Sequence, residues 1–336
     1  MKRLLIIDGQ NMFIRNYVMS PQLDINGNPI GGLTGFMRSL QKEVRRAKPD
    51  RVVVCWEGPG GSQKRREKNK NYKLGRKAPR LNREYEFATP EEERENKYDQ
   101  LLRLTEYLEN LPILQMSLEN VEADDIIAWL CHCNEYAEWQ KVIVSNDQDF
   151  LQLCDDKTIL LRPGKNEQVL NKNKVLEEYG IHPRNFAWAR AVVGDKSDNL
   201  DGVKGLGLKT MAKRFPFLSE NKDYGLEDIM SHAKNNKNKI KAYQNVVENE
   251  EIIASNYEIM QLYTSTISPQ GVNKLKYAIQ NDGVTLNRSE IRKMLLKDGI
   301  GTLNIDELML LLRSHKKVWE CSLYFRQLSY SGDKEI

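Results

Sequence analysis

The chain has 336 residues, 40% of them hydrophobic and 29% charged, with 51 Lys/Arg against 47 Asp/Glu for a net charge of +4. That is the composition of a soluble globular protein of one large or two smaller domains, and it excludes an intrinsically disordered chain. No apolar run approaches the ~20 residues a membrane-spanning helix needs, so no membrane association is expected. The four-residue apolar run in MKRLLIIDGQ is too short for a secretion signal. Five scattered cysteines, Cys55, Cys131, Cys133, Cys154 and Cys321, read as free thiols of a reducing compartment, so a cytoplasmic location is expected. Cys131-His132-Cys133 has no second ligand pair at finger spacing, which argues against zinc.

In chain order, Leu4-Leu5-Ile6-Ile7 predicts a strand ending in Asp8-Gly9. GLTGFMRSLQKEVRRAKPD follows, with Leu33, Phe36, Leu40 and Val44 at three- and four-residue spacing, and predicts a helix ended by Pro49. Val52–Trp56 is a second strand, leading to Glu57-Gly58. Residues 64–83 then hold ten Lys/Arg against one Glu, a density that favours a polyanionic partner over a merely solvated loop. Residues 84–95 turn acidic, with Glu84, Glu86, Glu91, Glu92, Glu93 and Glu95. Further strands are predicted at Ile113–Met116, at Val142–Val144 before Asp147, and at Thr158–Leu161. Helices are predicted over 122–132, Asn185–Val193, Lys209–Phe215, 246–263, Ser289–Lys297 and Asn304–Ser314. Alternating strands and helices, with strands apolar at successive positions, predict an α/β fold with a central, mostly parallel sheet.

Ligands of open α/β sheets gather at the carboxyl ends of the strands. Asp8, Glu57 and Asp147 are predicted there. VEADDIIAW adds Glu122, Asp124 and Asp125, with Glu122 and Asp125 at i and i+3 on one helix face. Asp149, and Asp195 and Asp198 of DKSD, complete nine acids in five separated segments. Each alone reads as solvated charge; the joint pattern does not. Two carboxylates ~4 Å apart repel by about 4 kcal/mol at an effective dielectric near 20, so such a pocket needs cations. Oxygen donors without His or Cys favour hard divalent ions, Mg²⁺ or Mn²⁺. A pair of them suits phosphodiester hydrolysis.

In GDKSDNLDGVKGLGLKTMAKRF, Gly202, Gly205 and Gly207 lie between two predicted helices, with Lys204, Lys209 and Lys213 around them. A tight Gly turn at a helix N-terminus exposes backbone N–H groups to phosphate. A helix hairpin uses glycine for turning alone, so the acidic pair just upstream is what makes this signal specific.

Over residues 3–215, the order strand–Asp-Gly, strand–acid-Gly, basic insert, EADD, DxD, GDxSDN and GVxGxGxKT resembles the flap endonuclease and 5′→3′ exonuclease family. That family includes free-standing phage 5′ nucleases and the N-terminal nuclease domain of bacterial DNA polymerase I. The resemblance implies a PIN-like 5′ nuclease core with a helix–two-turn–helix DNA-binding element and a helical C-terminal region. It implies that Asp8, Glu57, Glu122, Asp124, Asp125, Asp147, Asp149, Asp195 and Asp198 bind two or more Mg²⁺ ions, with Mn²⁺ as a substitute. Lys73 and Arg65 match the family's pattern for neutralising charge on the scissile phosphate, and Arg76 matches a DNA contact of the same arch. Gly202, Val203, Lys204, Gly205, Gly207, Lys209 and Thr210 match the duplex grip, where K⁺ sits on backbone carbonyls. Three positions depart from the pattern: Glu57 stands where Asp is usual, Asn69 where an aromatic residue is frequent, and Asp201 where proline is usual.

The division expected is a nuclease core over 1–185 with its arch at 60–98, a DNA-binding region over 186–265, and a helical appendage over 266–336. The function expected is a divalent-metal-dependent 5′→3′ exonuclease and structure-specific flap endonuclease of replication or repair. Its expected substrates are DNA with 5′ flaps, nicks or gaps and RNA–DNA primer hybrids, with RNase H activity on primers. A monomer that meets replication proteins is expected. The alternatives are a catalytically weak DNA-binding protein of the same fold, which would have no need of the DQD and DKSD acids, and a PIN-type ribonuclease, which lacks the Gly-rich grip.

Overall fold

The structure is a computed structural model. It describes residues 1–75, 87, 89–165, 167–238, 240–264, 266–281, 286–301 and 303–312. The strands are β1 (Arg3–Asp8), β2 (Arg51–Cys55), β3 (Leu114–Met116), β4 (Gln140–Val144), β5 (Thr158–Arg162) and β6 (Gln168–Leu170), in the sheet order β3-β2-β1-β4-β5-β6. The expected α/β architecture is present, with helices between the strands and a helical C-terminal region. β6 is an addition: three residues, Gln-Val-Leu, are too short to show a pattern in the sequence. By compactness the chain divides into two interleaved units, Met1–Val54 with Pro79–Met116 and Asn273–Ile336, and Cys55–Ala78 with Ser117–Val272.

In the first unit, Leu4, Leu5, Ile6 and Ile7 of β1 are fully buried, as a strand covered on both faces requires. The helix Gly31–Ala47 buries Leu33, Phe36, Leu40 and Val44, the predicted stripe. Its start has no side-chain cap of its own; Gln100 supplies one, its Oε1 accepting from the N–H groups of Gly32 (2.8 Å) and Leu33 (3.2 Å). Gln100 belongs to the helix Pro90–Glu109, whose own start explains part of the acidic run. Thr89 caps it, Pro90 opens it, and Glu91, Glu92 and Glu93 fill its first turn, where the helix dipole favours negative charge. The C-terminal helices Pro269–Gln280 and Arg288–Lys297 are followed by a helical run over 305–312. Asp298 accepts two bonds from Arg103 (2.7 and 3.0 Å) and one from the Tyr107 hydroxyl (2.8 Å), while Glu307 takes Gln41 (2.7 Å) and pairs with Arg45.

In the second unit, β4 pairs with β5 in parallel, Val142 opposite Ile159, and β5 with β6 antiparallel. The helices Ala123–His132, Phe186–Val193 and Leu208–Arg214 lie within a residue or so of expectation. The single helix expected over 246–263 is instead two, Lys241–Glu248 and Glu250–Met260. They part at Asn249, whose backbone leaves the helical region and whose side-chain amide donates back to the Asn245 carbonyl (2.7 Å). Asparagine offers the backbone that local alternative to a continuing helix. Cys131 and Cys133 are separately buried thiols, and the ring of His132 meets the Ala128 carbonyl (2.8 Å). Among the described residues no helix is long and apolar enough to cross a membrane.

Candidate active site

The EADD segment turns into its helix at Glu122, the residue before the first helical turn, with Asp124 and Asp125 inside that turn. Acids suit that end of a helix, and the apolar run Ile126-Ile127 behind them fixes the face they share. Glu122 and Asp125 do point together. One guanidinium, Arg65, pairs with both, donating Nη2 to Asp125 Oδ1 at 3.2 Å and Nη1 to Glu122. Arg65 is itself buried and donates Nε to the Ile259 carbonyl (2.9 Å).

Glu122 also accepts from the Tyr72 hydroxyl (3.2 Å) and from Lys73 Nζ (2.9 Å). Burial works against its charge, but Arg65 and Lys73 outweigh burial and hold the carboxyl below its ordinary range. Asp125 goes the other way: burial raises it, and Arg65 offsets only part of that. For Lys73, burial works to lower the ammonium, yet the charges of Glu122 and Asp124 hold it above its usual value.

A second guanidinium organises the other acids. Arg190, in the helix Phe186–Val193, donates Nε to Asp149 (2.9 Å) and Nη2 to Asp195. Burial, then the neighbouring charge of Asp147, pushes Asp149 up to about 7 against the pull of Arg190. Burial also opposes the charge of Asp195, but bonds from Ser197 N (2.7 Å) and Oγ (2.6 Å), together with Arg190, keep it below its ordinary range. Asp147 lies just past β4, its carboxylate accepting from the Asp149 N–H (2.8 Å). Asp124, Asp149 and Asp198, from three segments, line one small cavity with Arg65, Tyr72 and Leu200.

Seven of the nine candidate acids thus come from three segments of the second unit, EADD, DQD and DKSD, with Arg65, Lys73 and Arg190 among them. Asp8 is in the first unit, at the end of β1, and caps the helix Gly9–Met19 by accepting from the Asn11 N–H (3.0 Å). Glu57, two residues past β2, is exposed. Its longer side chain lies over Gly61, where an added Cβ would come within 2.7 Å of Glu57 Cγ and 3.1 Å of Oε1. A glycine at 61 therefore leaves the room that the extra methylene takes. Arg76 lies outside the described residues.

Sequence reading missed Arg190. The available signal was an arginine inside FAWARAVV, an otherwise apolar helix, where a buried cation needs a buried acid. As the side chains stand, no group of three or more His, Cys, Asp or Glu among the described residues closes to metal-holding distance. The donor chemistry nevertheless suits a hard divalent ion: only carboxylates converge, and burial beside Asp147 already raises the proton affinity of Asp149.

The Gly-rich segment divides by role. Gly194 (φ +76°) and Gly202 pack backbone to backbone; a Cβ on Gly202 would stand 1.8 Å from the Val193 carbonyl oxygen. That close approach by itself requires glycine at 202. Val203 is buried and donates its N–H to the Val192 carbonyl (2.8 Å). Gly205 (φ +85°) and Gly207 face open space, and Lys204, Lys209 and Lys213 are exposed, with Thr210 half-buried, around the short helix Leu208–Arg214.

Known proteins share this sequence and fold. The family described as 5′-3′ exonuclease, N-terminal resolvase-like domain, matches residues 3–180. The 5′-3′ exonuclease of Aquifex aeolicus (strain VF5) is 28% identical over 293 residues, 83% of this chain and 92% of that protein. The 5′-3′ exonuclease of Buchnera aphidicola subsp. Schizaphis graminum (strain Sg) is 30% identical over 253 residues, 72% of this chain and 82% of that protein. The thermostable DNA polymerase I of Thermus thermophilus is 31% identical over 248 residues, which make up 27% of its own length. Among solved structures, the bacteriophage T5 flap endonuclease in a pseudo-enzyme-product complex with DNA and metal ions has a TM-score of 0.61 at 20% identity, covering 89% of this chain and 99% of that one. The T5 5′-exonuclease with bound zinc has a TM-score of 0.61 at 19% identity, covering 89% and 100%. These structural likenesses show a shared fold. With a family match over more than half its length, the chain belongs to the 5′-3′ exonuclease family.

Proposed function

We propose that this 5′ nuclease hydrolyses phosphodiesters near 5′ ends with two or more divalent ions held by Glu122, Asp124, Asp125, Asp147, Asp149, Asp195 and Asp198, together with Glu57. One observation carries the reading: of seven acids that three segments bring to one unit, four are paired with three buried or half-buried cations, Arg65 and Lys73 on Glu122 and Asp125, and Arg190 on Asp149 and Asp195. A fold does not gather repelling carboxylates at that cost for stability alone. Divalent ions would supply the activated water and the charge that steadies attacking and leaving oxygens. Mg²⁺ is the natural ion, with Mn²⁺ as its substitute; T5 5′ nuclease structures hold metal ions in the same fold.

The chain's own residues do the rest. Lys73 Nζ, now on Glu122, exchanges that carboxylate for the scissile phosphate and neutralises charge that builds there. Arg65 holds the Glu122 and Asp125 carboxylates in place and, through them, the face on which phosphate sits. Gly205, Gly207 and the lysines around them grip the duplex backbone, with K⁺ on the carbonyls of that turn, and Arg76 adds a contact from the basic insert. The substrates are DNA with 5′ flaps, nicks or gaps, and RNA–DNA primer hybrids, met as a monomer beside replication proteins in the cytoplasm.

The test uses labelled 5′-flap, nicked and primer-hybrid duplexes with Mg²⁺ or EDTA, and the variants Asp125→Asn and Asp147→Asn. Cleavage should need Mg²⁺, and each variant should lose at least about a hundredfold in turnover while still binding DNA. Cleavage in EDTA, or near-full rates for both variants, would refute the metal assignment.

A further inference from the structure

Lys73 sits in a backbone conformation that its own residue type disfavours. Its φ is +54°, in the left-handed region, which a residue with a Cβ disfavours and keeps only when its surroundings impose it. Part of the imposition is local: Asn69 Oδ1 accepts from the Asn71 N–H (2.9 Å), and the Asn69 carbonyl from the Tyr72 N–H (3.0 Å). The rest comes from a segment more than a hundred residues away in the chain. The Lys73 N–H donates to the Asp198 carbonyl (2.9 Å), and Asn199 Nδ2 donates to the Asn71 carbonyl (2.9 Å).

Those two bonds hold the peptide groups on either side of Tyr72, directly before Lys73, from adjacent residues of one turn, and the Asn71 carbonyl also accepts from the Leu74 N–H (2.9 Å), which closes the chain around Lys73. The turn is itself braced. Asp195 and Leu200 exchange backbone bonds (2.9 and 2.8 Å), and Asp195 caps it through Ser197. Asn199 also lies in the left-handed region, at φ +58°, which asparagine tolerates better than most residues. Beneath the contact, Leu200 and the Tyr72 ring are buried in one apolar cluster with Ile259 and Met260. The turn that carries the acids Asp195 and Asp198 therefore also fixes the backbone from which Lys73 reaches Glu122.

We propose that Asn199 is a positioning residue for Lys73: its side-chain amide, with the Asp198 carbonyl, locks Tyr72-Lys73 in the left-handed turn that aims the ammonium into the acid cluster. This rests on the reading of Lys73 given above. It further implies that acids and lysine are set by one piece of backbone, so whatever seats Asp195 and Asp198 also seats Lys73.

The discriminating variant is Asn199→Gly, which keeps the left-handed backbone and removes only the amide; Asn199→Asp, which keeps size and loses the donor, is its partner. Both are compared with Lys73→Ala and with Lys73→Ala/Asn199→Gly on one 5′-flap duplex. The measurements are single-turnover cleavage in Mg²⁺, DNA affinity in EDTA, and the thermal midpoint. Asn199→Gly and Asn199→Asp should each cleave about five- to tenfold more slowly, the scale of one lost hydrogen bond, with affinity and midpoint close to wild type. In the Lys73→Ala background the Asn199→Gly change should add less than about twofold, because the group it positions is gone. If Asn199→Gly cleaves at the wild-type rate while Lys73→Ala is slow, the positioning role is wrong and the reading of Lys73 survives. Two losses that multiply in the double variant would overturn the positioning role in the same way. If Lys73→Ala itself cleaves at the wild-type rate, the reading of Lys73 falls and takes the role of Asn199 with it.

Discussion

A single buried side chain shows how part of the repulsion among the acids is offset. Arg190 is 8% exposed and bridges Asp149 and Asp195. Removing it leaves two largely buried carboxylates facing each other beside Asp147, and breaking a buried pair from one side costs about 3–5 kcal/mol. Arg190→Ala should therefore lose stability on that scale in EDTA. Part of the loss should return with Mn²⁺, which would replace the missing positive charge and stabilises by mass action. Lys157→Ala is the control: its pair with Glu138 is solvent-exposed and is worth less than about 1 kcal/mol. Urea unfolding with EDTA and with Mn²⁺ measures both. An Arg190→Ala protein as stable as Lys157→Ala in EDTA would mean the cluster is not held by charge pairing. Mn²⁺ without effect would mean the acids do not bind it.

At the scale of elements, what could be read from the sequence was whatever is local. β1, β2 and β4 are apolar runs ending near an acid, β5 is an apolar run without one, and Leu33, Phe36, Leu40 and Val44 mark a helix face by spacing alone. Glu122 and Asp125 could be placed on one face for the same reason. Their shared partner could not, because Arg65 is 57 residues upstream of Glu122 and no pattern links them. The helix Glu250–Met260 shows the limit most clearly. Its buried positions are Ile253, Asn256, Ile259 and Met260, so the polar residue sits in the apolar stripe and reads as a flaw. In the fold it is a tie: Asn256 Nδ2 donates to the Ala191 carbonyl (2.9 Å), near the end of the helix Phe186–Val193, and to the Asp201 carbonyl (2.8 Å). A helix end leaves carbonyls without intrahelical partners, and Asn256 satisfies one of them. Asn256→Leu should cost about 1–3 kcal/mol, since a buried acceptor loses its donor. It should also speed hydrogen exchange at Val203 and Leu206, which follow Asp201 in the Gly-rich turn. Unchanged exchange there would separate this helix from the turn it is said to brace.

For the molecule as a whole, net charge is a poor guide to DNA binding. A surplus of four charges among 98 ionised groups (51 basic plus 47 acidic) gives a weak overall attraction, so position must matter more than total. Exposed lysines at 204, 209 and 213 surround a turn whose glycines face open space, and that is where phosphates are expected to dock. Each phosphate neutralised releases counterions and contributes about 0.9 to the slope of log affinity against log salt. Replacing Lys204, Lys209 and Lys213 by Gln should therefore weaken duplex binding and reduce that slope by roughly 2.7. A second triple variant, Lys274→Gln, Lys276→Gln and Lys293→Gln, removes three exposed lysines elsewhere and arrives at the same net charge. It should keep the wild-type slope. Anisotropy of one labelled duplex, titrated over a KCl series in EDTA, excludes both cleavage and competition by divalent ions. If the two variants lose slope equally, attraction is set by total charge and the Gly-rich turn is no docking site. If only the first loses it, the grip is where the glycines open the backbone.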